Sequence, residues 1–166
     1  MSIKILSNLK IILKEDSAII ILSIISYLFF RVLSRIKYKK KINLKKEFVL
    51  ILFIAYLLIL FSIVTYPTNE HGLNNYNLFN EILRYKIGSS LFIQNIIGNI
   101  LLFIPFGMFL NYYFKIKIFS LIIITILYSL SIECTQILIS RVFDIDDIIL
   151  NLVGSIIGFS FSACAK

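Results

Sequence analysis

The chain has no Gly/Ser/Pro-rich linker, no internal repeat and no low-complexity tract, so nothing in it marks a domain boundary. No polar stretch is long enough to fold separately, and residues 1–166 read as a single domain. Cysteine is scarce. Cys134 and Cys164 lie inside apolar runs without metal-ligand or CxxC spacing, and read as small packing residues rather than a disulfide. Histidine occurs once, as His71, with no second His or Cys nearby, and reads as a solvated loop residue. No cofactor is implied, and no metal ligand set is recognisable. The first apolar run is followed by Arg31 without a small-residue cleavage site, so it is expected to be retained rather than removed as a signal peptide.

What the chain has in excess is apolar surface. Its hydrophobic fraction is 59% and its mean hydropathy +0.93, against about 45–50% apolar residues in soluble domains. A lipid solvent accounts for the difference. The formal net charge of +8 does not point to nucleic acid, because eight basic residues are packed between Arg31 and Lys46, between two apolar runs. Such a juxtamembrane cluster is explained by orientation and anionic headgroups, and no aromatic-basic platform accompanies it.

A membrane-spanning helix needs about 20 mainly apolar residues at a rise of about 1.5 Å each. The candidates are Ser17–Leu33, Phe48–Thr65, Leu91–Phe114, Ile118–Ile139 and Ile148–Ala165, the first being the shortest in strictly apolar residues. The expected fold is therefore an all-α polytopic membrane helix bundle with five transmembrane helices, or four if the first run does not span. Ahead of it, Ile5, Leu6, Leu9, Ile12 and Leu13 alternate with Lys4, Lys10 and Lys14 in the pattern of a surface-lying amphipathic helix. The positive-inside rule makes the loop Arg31–Glu47 and the turn at Lys115 and Lys117 cytoplasmic. The segment Tyr66–Ser90 and the turn Ser140–Asp147 then lie outside, with the N-terminus outside and the C-terminus inside. Tyr66-Pro67, Gly72 and Asn74-Asn75 give the outer segment turn chemistry.

Polar side chains inside these spans are expensive and should face a bundle interior or a cavity. Asn95 and Asn99 share a face of the third span at i,i+4. Ser129, Glu133, Gln136 and Ser140 form one stripe in the fourth, and Asp144, Asp147, Asn151, Gly154 and Gly158 another in the fifth. Helix rise places Asn95 and Asn99 roughly 6–12 Å below the outer end of their span. Glu133 and Gln136 lie about 5–9 Å below theirs, and Asn151 about one turn into the fifth. The three sets thus share one level in the outer leaflet, beneath Arg141 and the Asp-rich turn. Simpler readings exist for several of them. Gly154-xxx-Gly158 suits close helix packing, and Pro105 with Gly107 suits a kink. Asn95 and Asn99 suit interhelical hydrogen bonding, and Asp144, Asp146 and Asp147 each suit a cap on the fifth helix, Asp146 above all. Glu133 is harder to dismiss, since a buried carboxylate needs a partner or a proton, and Arg141 is the nearest candidate for an ion pair.

The segment Asn95-Ile-Ile-Gly98-Asn99, followed by Phe103-Ile-Pro105-Phe-Gly107, resembles the first motif of the VanZ-like family. Glu133-x-x-Gln136 resembles the second motif, together with Arg141-x-x-Asp144-x-x-Asp147-x-x-x-Asn151-x-x-Gly154 and then Gly158. The resemblance covers about residues 90–160. It implies a bacterial envelope protein of the kind associated with resistance to the glycopeptide teicoplanin in Gram-positive bacteria, and it marks positions without assigning them roles. The abundance of Ile, Lys and Asn suits an AT-rich Gram-positive genome.

Three functions fit these residues. In an enzyme acting on a lipid-linked or headgroup substrate, Glu133 is the acid/base, with Asp144 or Asp147 as its partner. Arg141 then holds a phosphate or carboxylate, and Asn95, Asn99, Gln136 and Asn151 orient the substrate. Alternatively, the same cluster is the recognition pocket or structural core of a non-catalytic protein that binds membrane lipid, a lipid-linked cell-wall precursor or another envelope component. An ion-coupled transporter is the least supported, because the intramembrane charge is one-sided and no second repeat is present.

Overall fold

The computed structural model describes residues 25–27, 31, 43–65, 74–139 and 141–164. Four helices among them are long and apolar enough to cross a membrane. We name the helices α1 (Leu44–Thr65), α2 (Asn80–Arg84), α3 (Ser90–Phe114), α4 (Ile118–Leu138) and α5 (Ile145–Cys164). The described residues contain no β-strand, only an isolated parallel bridge between Asn75 and Asp144. The expected all-α membrane architecture is what the chain adopts. Of the run 17–33, only residues 25–27 and 31 are described, all helical, so whether it spans lies outside the described residues. The amphipathic segment before it, His71 and Ser140 lie outside them too.

The chain divides into two compact units, Met1–Tyr66 and Pro67–Lys166. In the first, α1 begins four residues earlier than its apolar run, inside the expected basic loop. Asn43 makes this possible by accepting the Lys46 N–H at 3.3 Å. The early start puts Glu47 on the first turn of α1, where it is buried and accepts from Tyr27 Oη at 2.6 Å and from the Arg31 guanidinium. One acidic residue among eight basic ones thus ties the preceding segment to α1.

In the second unit, α3 and α5 run parallel and touch backbone to backbone. A Cβ placed on Gly107 would stand 1.8 Å from the Ser155 carbonyl oxygen. One on Gly154 would stand 2.2 Å from that of Ile100, and one on Gly158 1.9 Å from that of Ile104. Only glycine permits this approach, and in lipid such packing replaces the hydrophobic drive that water supplies. The expected role of Gly154 and Gly158 is therefore what they perform, with Gly107 as their counterpart on α3. The helix α4 returns antiparallel to α5 and contributes Tyr128, whose ring stacks on Phe106 at 5.2 Å and lies 6.1 Å from Phe103. Phe103 and Phe106 are buried, so this aromatic group fills the middle of the three-helix contact.

Two wide turns interrupt α3, at Ile93–Ile97 and Leu110–Phe114, each of π-helical form. Pro105 sits between them without ending the helix. The turn to α4 is short because Lys115 adopts a left-handed conformation (φ 51°), its N–H bonding to the Asn111 carbonyl at 3.1 Å. The hydroxyls of Thr125, Ser155 and Ser162 are buried without a hydrogen-bond partner among the described residues.

These contacts separate the glycines sharply. Gly107→Ala and Gly158→Ala force backbone apart and should each lower stability by about 1–3 kcal/mol. Gly98→Ala, whose nearest neighbour is its own helix at 3.7 Å, should be neutral or stabilising by about 0.5–1 kcal/mol. Thermal unfolding of the purified protein in one detergent measures all three; equal losses at the three positions would contradict the packing described.

Candidate functional site

The polar side chains gather where α3 and α5 begin and α4 ends. Three hydrogen bonds define the cluster. Asn99 of α3 donates from Nδ2 to Asp147 Oδ1 of α5 at 2.5 Å. Glu133 of α4 accepts the Asp144 backbone N–H at 2.9 Å through Oε2. Asn151 of α5 donates to Ser129 Oγ of α4 at 2.8 Å. Each bond joins two segments, which is how polar groups in a lipid-embedded bundle satisfy one another.

Glu133 is only 1% exposed, and Gln136, Ser129 and Asn151 are also buried. Glu133 thus reaches the cluster from α4, bonded to the start of α5, and Asp147 reaches it from α5, bonded to α3. Arg141 is fixed by its backbone N–H, which reaches the Gln136 carbonyl at 2.8 Å and folds the turn back over the end of α4. Among the described residues, no group of three His, Cys, Asp or Glu side chains is arranged to hold a metal ion.

Asp144 has a further task. Its Oδ1 accepts the Asp146 N–H at 2.9 Å, the geometry of a carboxylate capping the first turn of α5, and also accepts Asn75 Nδ2 at 2.9 Å. The capping expected of Asp146 is thus performed by Asp144. Asp146 instead turns toward the segment before α3. It is fully buried and accepts the backbone N–H groups of Phe79 at 2.6 Å and Ile82 at 3.4 Å. Phe79 holds a left-handed backbone conformation (φ 66°), uncommon for an aromatic residue, and the Asp146 carboxylate secures it. Asn75 completes the attachment, its N–H bonding to the Phe143 carbonyl at 2.8 Å and its carbonyl accepting from Ile145 at 3.1 Å.

Asn95 stands apart from Asn99. It is exposed and donates to Tyr85 Oη at 2.8 Å. Four residues along an ideal α-helix would put the two amides on one face, but the π turn at Ile93–Ile97 widens the helix there. Asn95 therefore serves the edge of the cluster, while Asn99 enters it.

The residues not singled out by spacing are Asn75, Tyr85, Tyr128 and Asn111. Asn75 showed only turn chemistry, and its partner Asp144 is 69 positions away. Asn111 is buried at the opposite end of α3, where it donates to the Phe159 carbonyl at 3.2 Å. An amide inside an apolar run is a signal in itself, and this one supports helix packing away from the carboxylates.

Four apolar helices, with amides and carboxylates drawn together from three of them at one end, define a multi-pass helical membrane protein. The chain belongs to the VanZ/LLP1 family, whose model matches residues 48–165. The match extends the likeness seen over about residues 90–160 to include α1. Neither a curated protein nor a solved structure matches the chain.

If the bond between Asn151 and Ser129 holds α4 to α5, a double-mutant cycle with Asn151→Ala and Ser129→Ala should return a coupling of about 0.6 kcal/mol, with about 1.7 as an upper bound. Unfolding of the two single variants and the double variant in the same detergent gives this energy. Strict additivity would show that the bond contributes nothing.

Proposed function

We propose that this VanZ/LLP1 protein acts on the cell envelope at the outer face of the cytoplasmic membrane. Its polar cluster recognises the headgroup of a membrane lipid or lipid-linked cell-wall precursor, and through that contact alters susceptibility to glycopeptides such as teicoplanin. The observation that carries the reading is the convergence of Glu133 of α4, bonded to the Asp144 N–H, with Asp147 of α5, bonded to Asn99 of α3. Two carboxylates from different helices are held at the same end of the bundle, Asp147 by Asn99 and Glu133 by the turn that Arg141 closes. Packing alone would be served as well by apolar residues of the same size, so keeping two ionisable side chains here favours a ligand. The charge distribution supports the outer face: Lys115 and Lys117 lie at the opposite end of α3 and α4 from the cluster.

A second reading, a membrane enzyme modifying such a headgroup, is favoured by the same pair. Because Asp144 is engaged as a helix cap and as the partner of Asn75, the acid/base assignment narrows to Glu133 with Asp147. In this reading Arg141, on the turn folded back over the end of α4, holds a phosphate or carboxylate of the substrate.

One set of variants separates the two. In cells carrying the wild-type protein, Glu133→Gln or no protein, lipids and cell-wall precursors are profiled beside glycopeptide susceptibility. Recognition without chemistry predicts unchanged covalent composition in all three strains and a partial, graded loss of phenotype in Glu133→Gln and in a fourth strain carrying Asp147→Asn. Catalysis predicts that one molecule changes mass between wild type and both other strains, while Glu133→Gln inserts normally. Full phenotype in Glu133→Gln and Asp147→Asn together would remove the cluster from both readings.

A further inference from the structure

The stretch from Asn75 to the start of α3 exposes most of its large apolar side chains while burying two polar anchors. Its polar attachments point inward. Asp146 and Asn75 are buried and bond to its backbone and to the end of α5. Its large apolar side chains point outward, with Leu83 82% and Ile87 84% exposed, and Tyr76, Leu78 and Phe79 more than half exposed. A soluble loop would bury the leucines and solvate the carboxylate. Large apolar side chains exposed in this number within a dozen residues mark a surface whose neighbour is not water.

Position says what that neighbour is. The stretch begins at the first turn of α5, where Asn75 bridges to Asp144, and ends at the first turn of α3, where Tyr85 accepts from Asn95. It therefore lies at one end of the membrane-crossing helices, at the level where hydrocarbon gives way to headgroups. Its exposed row continues into Leu91 and Ile93, on the outside of α3 itself. Arg84 and Lys86 are interspersed with the apolar residues, and Tyr76 and Tyr85 flank them. Basic and aromatic residues beside an apolar face are the composition of a segment lying in the interface plane.

We propose that residues 76–87 form an in-plane membrane segment, held to the bundle by Asp146 and Asn75, whose Leu78, Phe79, Leu83 and Ile87 side chains rest among the acyl chains of the adjacent leaflet. The occupant of this face is bilayer lipid. Arg84 and Lys86 reach the phosphates above, and the segment floors the headgroup region next to Asn95 and the polar cluster. The inference does not depend on what the cluster recognises, since it rests only on the polarity and position of the segment.

The chain contains no tryptophan, so a single Trp reports one place. Leu83→Trp and Ile87→Trp are made separately in the full-length protein, at exposed positions where a larger ring displaces nothing buried. Each is reconstituted in phosphatidylglycerol–phosphatidylcholine vesicles brominated at shallow or deep acyl positions. Blue-shifted emission that loses roughly half its intensity to shallow bromines, and less to deep ones, is the expected result. Emission quenched by aqueous iodide and not by bromolipid would place the segment in water and overturn the proposal. Shielding from both quenchers would overturn it too, since the face would then be covered by protein, for instance a second copy of the chain.

Discussion

The close contact of α3 with α5 is the constraint on which the rest of the second unit depends. Its glycines let two backbones meet, and a meeting that tight fixes register. The same separation of 48 residues links Asn99 to Asp147, Gly107 to Ser155, and Asn111 to Phe159. Three contacts spread along α3 therefore belong to a single alignment. A slip of one residue would turn the glycines off the contact and carry Asn99 away from Asp147. The polar site is in that sense a by-product of how two helices are allowed to approach.

The aromatic group Phe103, Phe106 and Tyr128 and the bond from Asn151 to Ser129 then position α4 against this pair. Glu133 arrives beside Asp144 because the turn after α4 is folded back by Arg141 and Gln136. Polar and apolar contacts are divided by depth. Rings and glycines fill the middle, and the carboxylates and most of the amides crowd one end, where bonding groups from the connecting segments can reach them. Lipid imposes this division, because a polar group within it has only protein to bond to.

Much of this was legible in the sequence. Uninterrupted apolar runs set the span boundaries to within a few residues, since length and hydropathy are the terms the bilayer reads. Asn99, Glu133, Gln136, Asp147 and Asn151 stood out because polar residues in such runs are costly, and their helical spacing predicts their shared level. What escaped was whatever depends on departures from ideal helix geometry or on pairing across long separations. The π turn that parts Asn95 from Asn99 has no local signature. Asp144 and Asp146 are two residues apart with the same chemistry, and only the fold decides which caps α5 and which reaches Phe79. Asn43 shows the same limit in the first unit: a polar residue in a basic loop begins a helix because its side chain meets the Lys46 N–H, and Glu47 is buried as a result.

The pairing of α3 with α5 also has an order in time. The two helices are separated by α4, so during synthesis α3 and α4 are complete before the surface that receives their polar side chains exists. Until α5 is threaded in, Asn99 lacks Asp147, Ser129 lacks Asn151 and Glu133 lacks the Asp144 backbone N–H. The half-made protein thus carries uncompensated polar groups at the place where the finished one concentrates them. Arrival of the last helix closes the fold and creates the site in one event, so a chain truncated within α5 would be both unfinished and unstable in the membrane.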